Sequence, residues 1–156
     1  MKVTFFFILF GLSSLSLLAQ SRFSRQELAV NAFRNPSVGL EYRHRQVSVH
    51  GGYYPTIISQ EAGRNVTTSF VRAGVSVWYL PVGQRQNPSS FYSSVSYLRG
   101  LDRDYDGTNA VLLDTGFRWM IWQGLNLRVG VAALKASGRD WKINPTPGIS
   151  YSFFFR

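Results

Sequence analysis

From Gln26 onward, apolar residues recur at every second position and never gather into a run long enough to cross a membrane as a helix. Val71, Ala73, Val75, Val77 and Tyr79 alternate with Arg72, Gly74, Ser76 and Trp78. Leu125, Leu127, Val129, Val131 and Ala133 alternate with Asn126, Arg128, Gly130 and Ala132. A period of two marks a strand whose two faces meet different surroundings. The same alternation predicts eight strands, over residues 27–33, 37–43, 46–51, 71–79, 91–98, 111–121, 125–133 and 148–155. No segment sustains a period of 3.6, so no helix is needed.

The connections alternate in length. Short turns fall at His44-Arg45 and Trp122-Gln123-Gly124, and longer polar stretches at residues 55–67, 99–110 and 135–146. Short turns on one side and long loops on the other are the habit of an up-and-down barrel in an outer membrane. Two connections depart from it. Arg34-Asn35-Pro36 is tight where a long loop is expected, and residues 81–89, bracketed by Pro81 and Pro88, are long where a tight turn is expected.

Alternation alone does not tell which face is outside. A soluble sandwich buries its apolar face, whereas a membrane barrel turns it outward. The aromatics favour the membrane. If the chain starts in the periplasm, Tyr42, Tyr79, Phe91, Trp119, Phe153 and Phe155 all fall on the apolar face at one level, as a girdle at the lipid–water interface. Tyr53, Phe70 and Tyr97 would form a thinner girdle at the other level. The opposite face carries Glu27, Glu41 and Asp114 against Arg43, Arg72, Arg118 and Arg128. Unpaired, such charges are very costly away from water. Inside a narrow eight-stranded barrel, whose interior side chains just fill, they pair into a polar plug. Gly39, Gly74, Gly116, Gly130 and Gly148 are read as making room for the arginines.

The start of the chain changes the picture of where this barrel lives. Met1-Lys2 precedes an apolar run centred on Phe5 to Phe10, diluted by Ser13, Ser14 and Ser16 and ending in Leu17-Leu18-Ala19. This is the pattern of a secretory signal peptide. Residues 1–19 are therefore expected to be an address, and residues 20–156 the barrel. Composition agrees: the 156-residue chain is 45% hydrophobic and only 16% charged, against roughly 25% in soluble domains. That excludes a disordered chain. With no Cys there is no disulfide, thiolate metal site, Cys nucleophile or lipid-anchoring cysteine.

The net charge is +9, and 14 of 17 basic residues are Arg. Four of them belong to the inward face. Arg64, Arg99, Arg103, Lys135, Arg139 and Lys142 lie in loops or at the rim, where they suit the phosphates of lipopolysaccharide. No basic run points to nucleic acid. Ser48 and His50 share one strand face, a pairing that nucleophilic acyl transfer uses. Their inward parity keeps substrate away, so no catalytic residue is assigned. Asp102, Asp104 and Asp106, followed by Gly107, resemble half of a calcium loop. The twelfth position is Leu113 rather than Glu, which leaves at most a weak divalent site on a surface turn.

The segment Asn35-Pro36-Ser37-Val38-Gly39-Leu40-Glu41-Tyr42 resembles the early hairpin of small outer-membrane barrels. Ile149-Ser150-Tyr151-Ser152-Phe153-Phe154-Phe155 resembles the C-terminal strand read by the barrel-assembly machinery. On these motifs the chain resembles eight-stranded OmpA/OmpX-like barrels, in a style similar to that of Bacteroidota. Arg156 departs from the pattern, since such strands usually end on the aromatic. The resemblance implies a transmembrane barrel in a Gram-negative outer membrane, in contact with lipid and lipopolysaccharide, without cofactor and without enzymatic activity. Its role would be structural or in surface interaction. The competing expectations are a narrow channel for small solutes, a lipid A-modifying enzyme and a soluble lipocalin-like barrel.

Overall fold

A computed structural model describes residues 23–61, 64–85, 87–102 and 105–155. The expected signal peptide, residues 1–19, lies outside the described residues, as do Arg103, Asp104 and Arg156.

Nine strand segments form one antiparallel sheet: β1 (Gln26–Asn31), β2 (Val38–His44), β3 (Val47–Glu61), β4 (Arg64–Val82), β5 (Ser89–Gly100), β6 (Asn109–Met120), β7 (Leu125–Ala136), β8 (Lys142–Pro145) and β9 (Gly148–Phe155). Each pairs with its chain neighbour up to β7, and β9 pairs with both β7 and β1, closing the sheet into a barrel. β8 continues the line of β9 along β7: Arg128 faces Gly148, and Val131 faces Pro145. The two segments are thus one barrel strand, interrupted at Thr146-Pro147, where proline has no N–H to give the ladder. The barrel has eight strands.

Its stagger can be read from the register. The line of paired residues from Gln26 passes His44, Val47, Val77, Ser93, Thr115 and Val131 and arrives at Pro145. Gln26 itself pairs with Phe155, so one circuit climbs ten residues (155 − 145). With a rise of about 3.3 Å per residue and about 4.8 Å between strands, that stagger tilts the strands by about 40°. The 12-residue strands β5, β6 and β7 then span roughly 30 Å along the axis.

The strands near the middle of the chain fall where alternation puts them, but the long connections differ from expectation. Residues 55–67 are not a loop. β3 and β4 continue as a paired ribbon to Glu61 and Arg64, with an irregularity between Ile57 and Ser59. Thr, Ile and Val are strand formers, and pairing satisfies their backbone even where the alternation fades. Residues 135–146 shrink to a turn at 137–141 because β8 joins the wall.

The wall is uneven in height. Above Tyr53, β3 is paired with β4 alone among the described residues. β8 stands opposite, with Asn144 Nδ2 donating to Thr56 Oγ1 across 3.4 Å. The connection of residues 32–37 occupies this low side. Arg34 Nε donates to the Pro55 carbonyl at 3.1 Å, while Asn35 and Ser37 are fully buried. The tight connection that breaks the long–short pattern is therefore one that folds inward.

Candidate functional site

The two faces of the wall differ completely. Outward along β5 stand Phe91, Ser93, Val95 and Tyr97, and along β7 Leu125, Leu127, Val129, Val131 and Ala133. Val129 is 70% exposed. Inward stand all seven charged residues named from the alternation, Glu27, Glu41, Arg43, Arg72, Asp114, Arg118 and Arg128, each buried.

They fall into three groups. Near the lower end, where β1 begins and β9 ends, Glu27 pairs with both Arg43 and Arg118, the latter at 2.7 Å. Ser152 Oγ donates to the same carboxylate at 2.6 Å. Glu41 pairs with Arg128 at 2.6 Å and accepts from Ser48. Higher up, Arg72 pairs with Asp114, and Ser94 Oγ donates to that carboxylate. One buried carboxylate bridging two guanidiniums is an arrangement in which losing the carboxylate strands both cations.

Trp78 joins the two lower groups. The guanidiniums of Arg118, Arg128 and Arg43 lie 4.4, 5.0 and 5.5 Å from its ring centroids, and its Nε1 donates to Ser48 at 2.9 Å. A ring face attracts cations, so Trp78 offsets the excess of four arginines over three carboxylates. Phe23 closes the lower mouth, its ring 4.9 Å from Arg43. Parity reveals Trp78 as inward. Phe23 precedes the first strand and gives no pattern to read.

At the waist, Asn35 Nδ2 donates to the Thr146 carbonyl at 3.0 Å, to Thr146 Oγ1 at 3.1 Å and to the Tyr92 hydroxyl. Arg72 donates to the Pro36 carbonyl. Three of the five glycines serve this level rather than the arginines. A Cβ on Gly116 or Gly130 would meet the Tyr92 hydroxyl at 2.7 Å, and one on Gly148 would meet the Asn35 backbone. The expectation that Gly116, Gly130 and Gly148 make room for Arg chains is corrected accordingly.

Above the waist the interior turns apolar. Tyr54, Phe70, Leu98, Tyr105, Ala110, Leu112, Ala132, Leu134 and Ala136 form one buried cluster. Phe70, expected in an outer girdle, belongs here and is fully buried. It has the parity of Arg72, which faces inward. Tyr53 and Tyr97 do face outward, about half exposed. Tyr105 enters from the connection of residues 101–108 and packs edge-on against Phe70 at 5.5 Å, with the Arg139 guanidinium 4.2 Å from its ring.

That connection contains the three carboxylates read as half a calcium loop, of which Asp102 and Asp106 are among the described residues. Asp102 Oδ1 accepts from Thr68 Oγ1 and from the Ser69 N–H at 3.0 Å. Asp106 is exposed, and Asp104 lies outside the described residues. Among the described residues no cluster of three metal-ligating side chains occurs. Asp102 and Gly107 shape a turn that carries Tyr105 into the barrel: the Gly107 N–H donates to the Gly100 carbonyl at 3.1 Å.

Ser48 and His50 share the inward face but do not meet. Ser48 bonds Glu41 and Trp78, while His50 bonds Ser96 through Nε2 at 3.0 Å and Ser76 through Nδ1 at 3.2 Å. The residues read as a girdle, Tyr42, Tyr79, Phe91, Trp119, Phe153 and Phe155, all lie on the outer face toward the lower end. Tyr79 stacks on Phe91 at 6.3 Å, Phe91 meets Phe117 at 5.0 Å, and Trp119 is 60% exposed.

Searches against family models, curated proteins and solved structures return no match for this chain.

Proposed function

We propose that this protein is a non-enzymatic integral β-barrel of a Gram-negative outer membrane, its lumen closed by its own side chains. Its role is structural or in surface interaction. The observation that carries this reading is the inverted polarity of the wall. Large apolar side chains are exposed all round the barrel, while Arg–carboxylate pairs fill the interior up to the waist. In water that arrangement exposes far more apolar surface than soluble proteins tolerate. In lipid it is the stable one, because closure of the sheet pairs the strands on both edges through the barrel wall.

The dimensions suit the same setting. Strands spanning roughly 30 Å match a hydrocarbon core of about 30 Å. The lower girdle would lie at the periplasmic interface. Outward-facing Arg99 stands two residues beyond Tyr97, and outward-facing Lys135 lies opposite Val111, at the upper rim where lipopolysaccharide phosphates would lie. A lipocalin-like barrel requires the opposite polarity, with an apolar lining throughout and a wet exterior. The resemblance to OmpA/OmpX-like barrels, to a Bacteroidota source and to a C-terminal strand read by the assembly machinery belongs to this proposal.

The test has two parts. In the outer-membrane fraction, the unheated protein is expected to migrate differently from the boiled protein on a denaturing gel; recovery as an unshifted soluble protein would contradict the reading. In planar bilayers the folded barrel is expected to give no unitary conductance; stable openings would replace the closed lumen with a narrow channel.

A further inference from the structure

The lower end holds a half-open groove of about 580 Å³, bounded by the β4–β5 connection, the β6–β7 turn and the end of β9. Arg85, Asn87, Trp122, Tyr151, Phe153 and Phe154 are among the residues that line it. Successive residues of a strand point to opposite faces. A groove lined by both Tyr151 and Phe153, which face outward, and by Ser152, which faces inward, therefore crosses the rim of the wall. It runs from the inner side of the rim to the outer surface at the level of the aromatic girdle.

Its polar end is built around one cation. Arg85 Nη1 donates to the Met120 carbonyl at 2.8 Å and to the Ile121 carbonyl at 3.1 Å. These bonds tie the β4–β5 connection to the β6–β7 turn and hold the guanidinium over the groove. A planar fork already held in place loses little freedom on binding a phosphate. The other end of the groove is aromatic, and Trp122 is 71% exposed beside it.

Among the described residues, the side-chain charge around the groove has one sign. Of the acidic residues the structure describes, Glu27, Glu41 and Asp114 face the lumen, and Glu61, Asp102, Asp106 and Asp140 belong to the upper end or its connections. Among the described residues, the lower end exposes Arg25, Arg45 and Arg85 and no acidic side chain.

We propose that this groove binds an anionic glycerophospholipid of the leaflet at the lower end. The phosphate lies on Arg85 and Asn87, and an acyl chain leaves over the rim between Trp122, Tyr151 and Phe153. The volume falls in the usual range for small-molecule sites and suits the headgroup and first carbons, with the chains outside. The proposal rests on the membrane reading above.

The test is native mass spectrometry of the refolded barrel released from lipid nanodiscs, with phosphatidylglycerol compared against phosphatidylcholine. The wild-type barrel is expected to retain phosphatidylglycerol preferentially. Arg85→Gln is expected to lower that retention about five- to tenfold, the size of one charge-assisted contact, Arg85→Lys to restore part of it, and Lys135→Gln at the opposite rim to leave it unchanged. Equal retention of the two lipids, or a preference that survives Arg85→Gln, would overturn the site. Heat-dependent gel migration of each variant keeps the two readings apart. A shifted barrel without lipid preference defeats only the lipid site, whereas a soluble, unshifted chain defeats the membrane reading and the site with it.

Discussion

The lower and upper halves of the lumen solve the same filling problem with opposite chemistry. Below the waist, Glu27, Glu41, Arg43, Arg118 and Arg128 surround Trp78. Above it, Leu98, Leu112 and Leu134 pack with Tyr54, Phe70 and Tyr105. Asn35 and the Arg72–Asp114 pair mark the boundary. The lower half depends on charges that must all be matched, because a single unmatched one is expensive in a dry interior. The upper half depends on shape, where errors cost only lost contacts and cavities. The two halves should therefore fail differently.

The sharpest way to separate them is to remove one carboxylate. Glu27→Ala leaves Arg43 and Arg118 buried without their partner and is expected to cost about 4 kcal/mol, measured by urea unfolding of the barrel in vesicles. A loss below 1 kcal/mol would show that the lower half is not held by matched charge. In the upper half, Leu112→Ala is expected to cost about 3 kcal/mol as a cavity, with an unchanged dependence of stability on salt. Gly100→Ala tests how the upper half is closed. A Cβ there would overlap the Tyr105 backbone, so the 101–108 connection must move, at a cost of about 2 kcal/mol. Increased proteolytic cutting in that connection would report the displacement.

Two milder changes probe the lower half without stranding a charge. Trp78→Phe keeps a ring among the guanidiniums but weakens the cation contacts and removes the donor to Ser48, with an expected loss of about 1.5 kcal/mol. Replacing Glu41 and Arg128 together by Leu and Met makes part of the lower half resemble the upper. Apolar replacement of a complete buried pair is often close to neutral, so the double variant is expected to change stability by about 1 kcal/mol or less. If it costs as much as Glu27→Ala, the ion pairs contribute more than charge matching.

The same contrast explains what was legible in the sequence. Where the interior is polar, inside and outside differ, and alternation exposes the strand, its face and its charged residues: Glu41, Arg72, Asp114, Arg118 and Arg128 were all found this way. Where the interior is apolar or the strand is rich in Ser and Thr on both faces, the contrast fades. The pattern of residues 55–67 and 142–145 therefore reads as loop, although they form the upper ribbon of β3 and β4 and the strand β8. Tyr105 was hidden for another reason. It sits in a connection with no period to read, where Asp102 anchors the turn that inserts the ring. Asn35 was visible only as an anomaly, a connection too short for its place, and its burial at the waist accounts for that shortness.

The central claim is that the apolar face meets lipid and the charged face fills the lumen. The chain has no native cysteine, so single cysteines can be placed one by one along β5 from Phe91 to Arg99 and spin-labelled in reconstituted vesicles. The account predicts that labels at 91, 93, 95 and 97 are accessible to oxygen dissolved in lipid, while those at 92, 94, 96 and 98 are immobile and shielded. A period of two with the opposite phase, or uniform access from water, would contradict it.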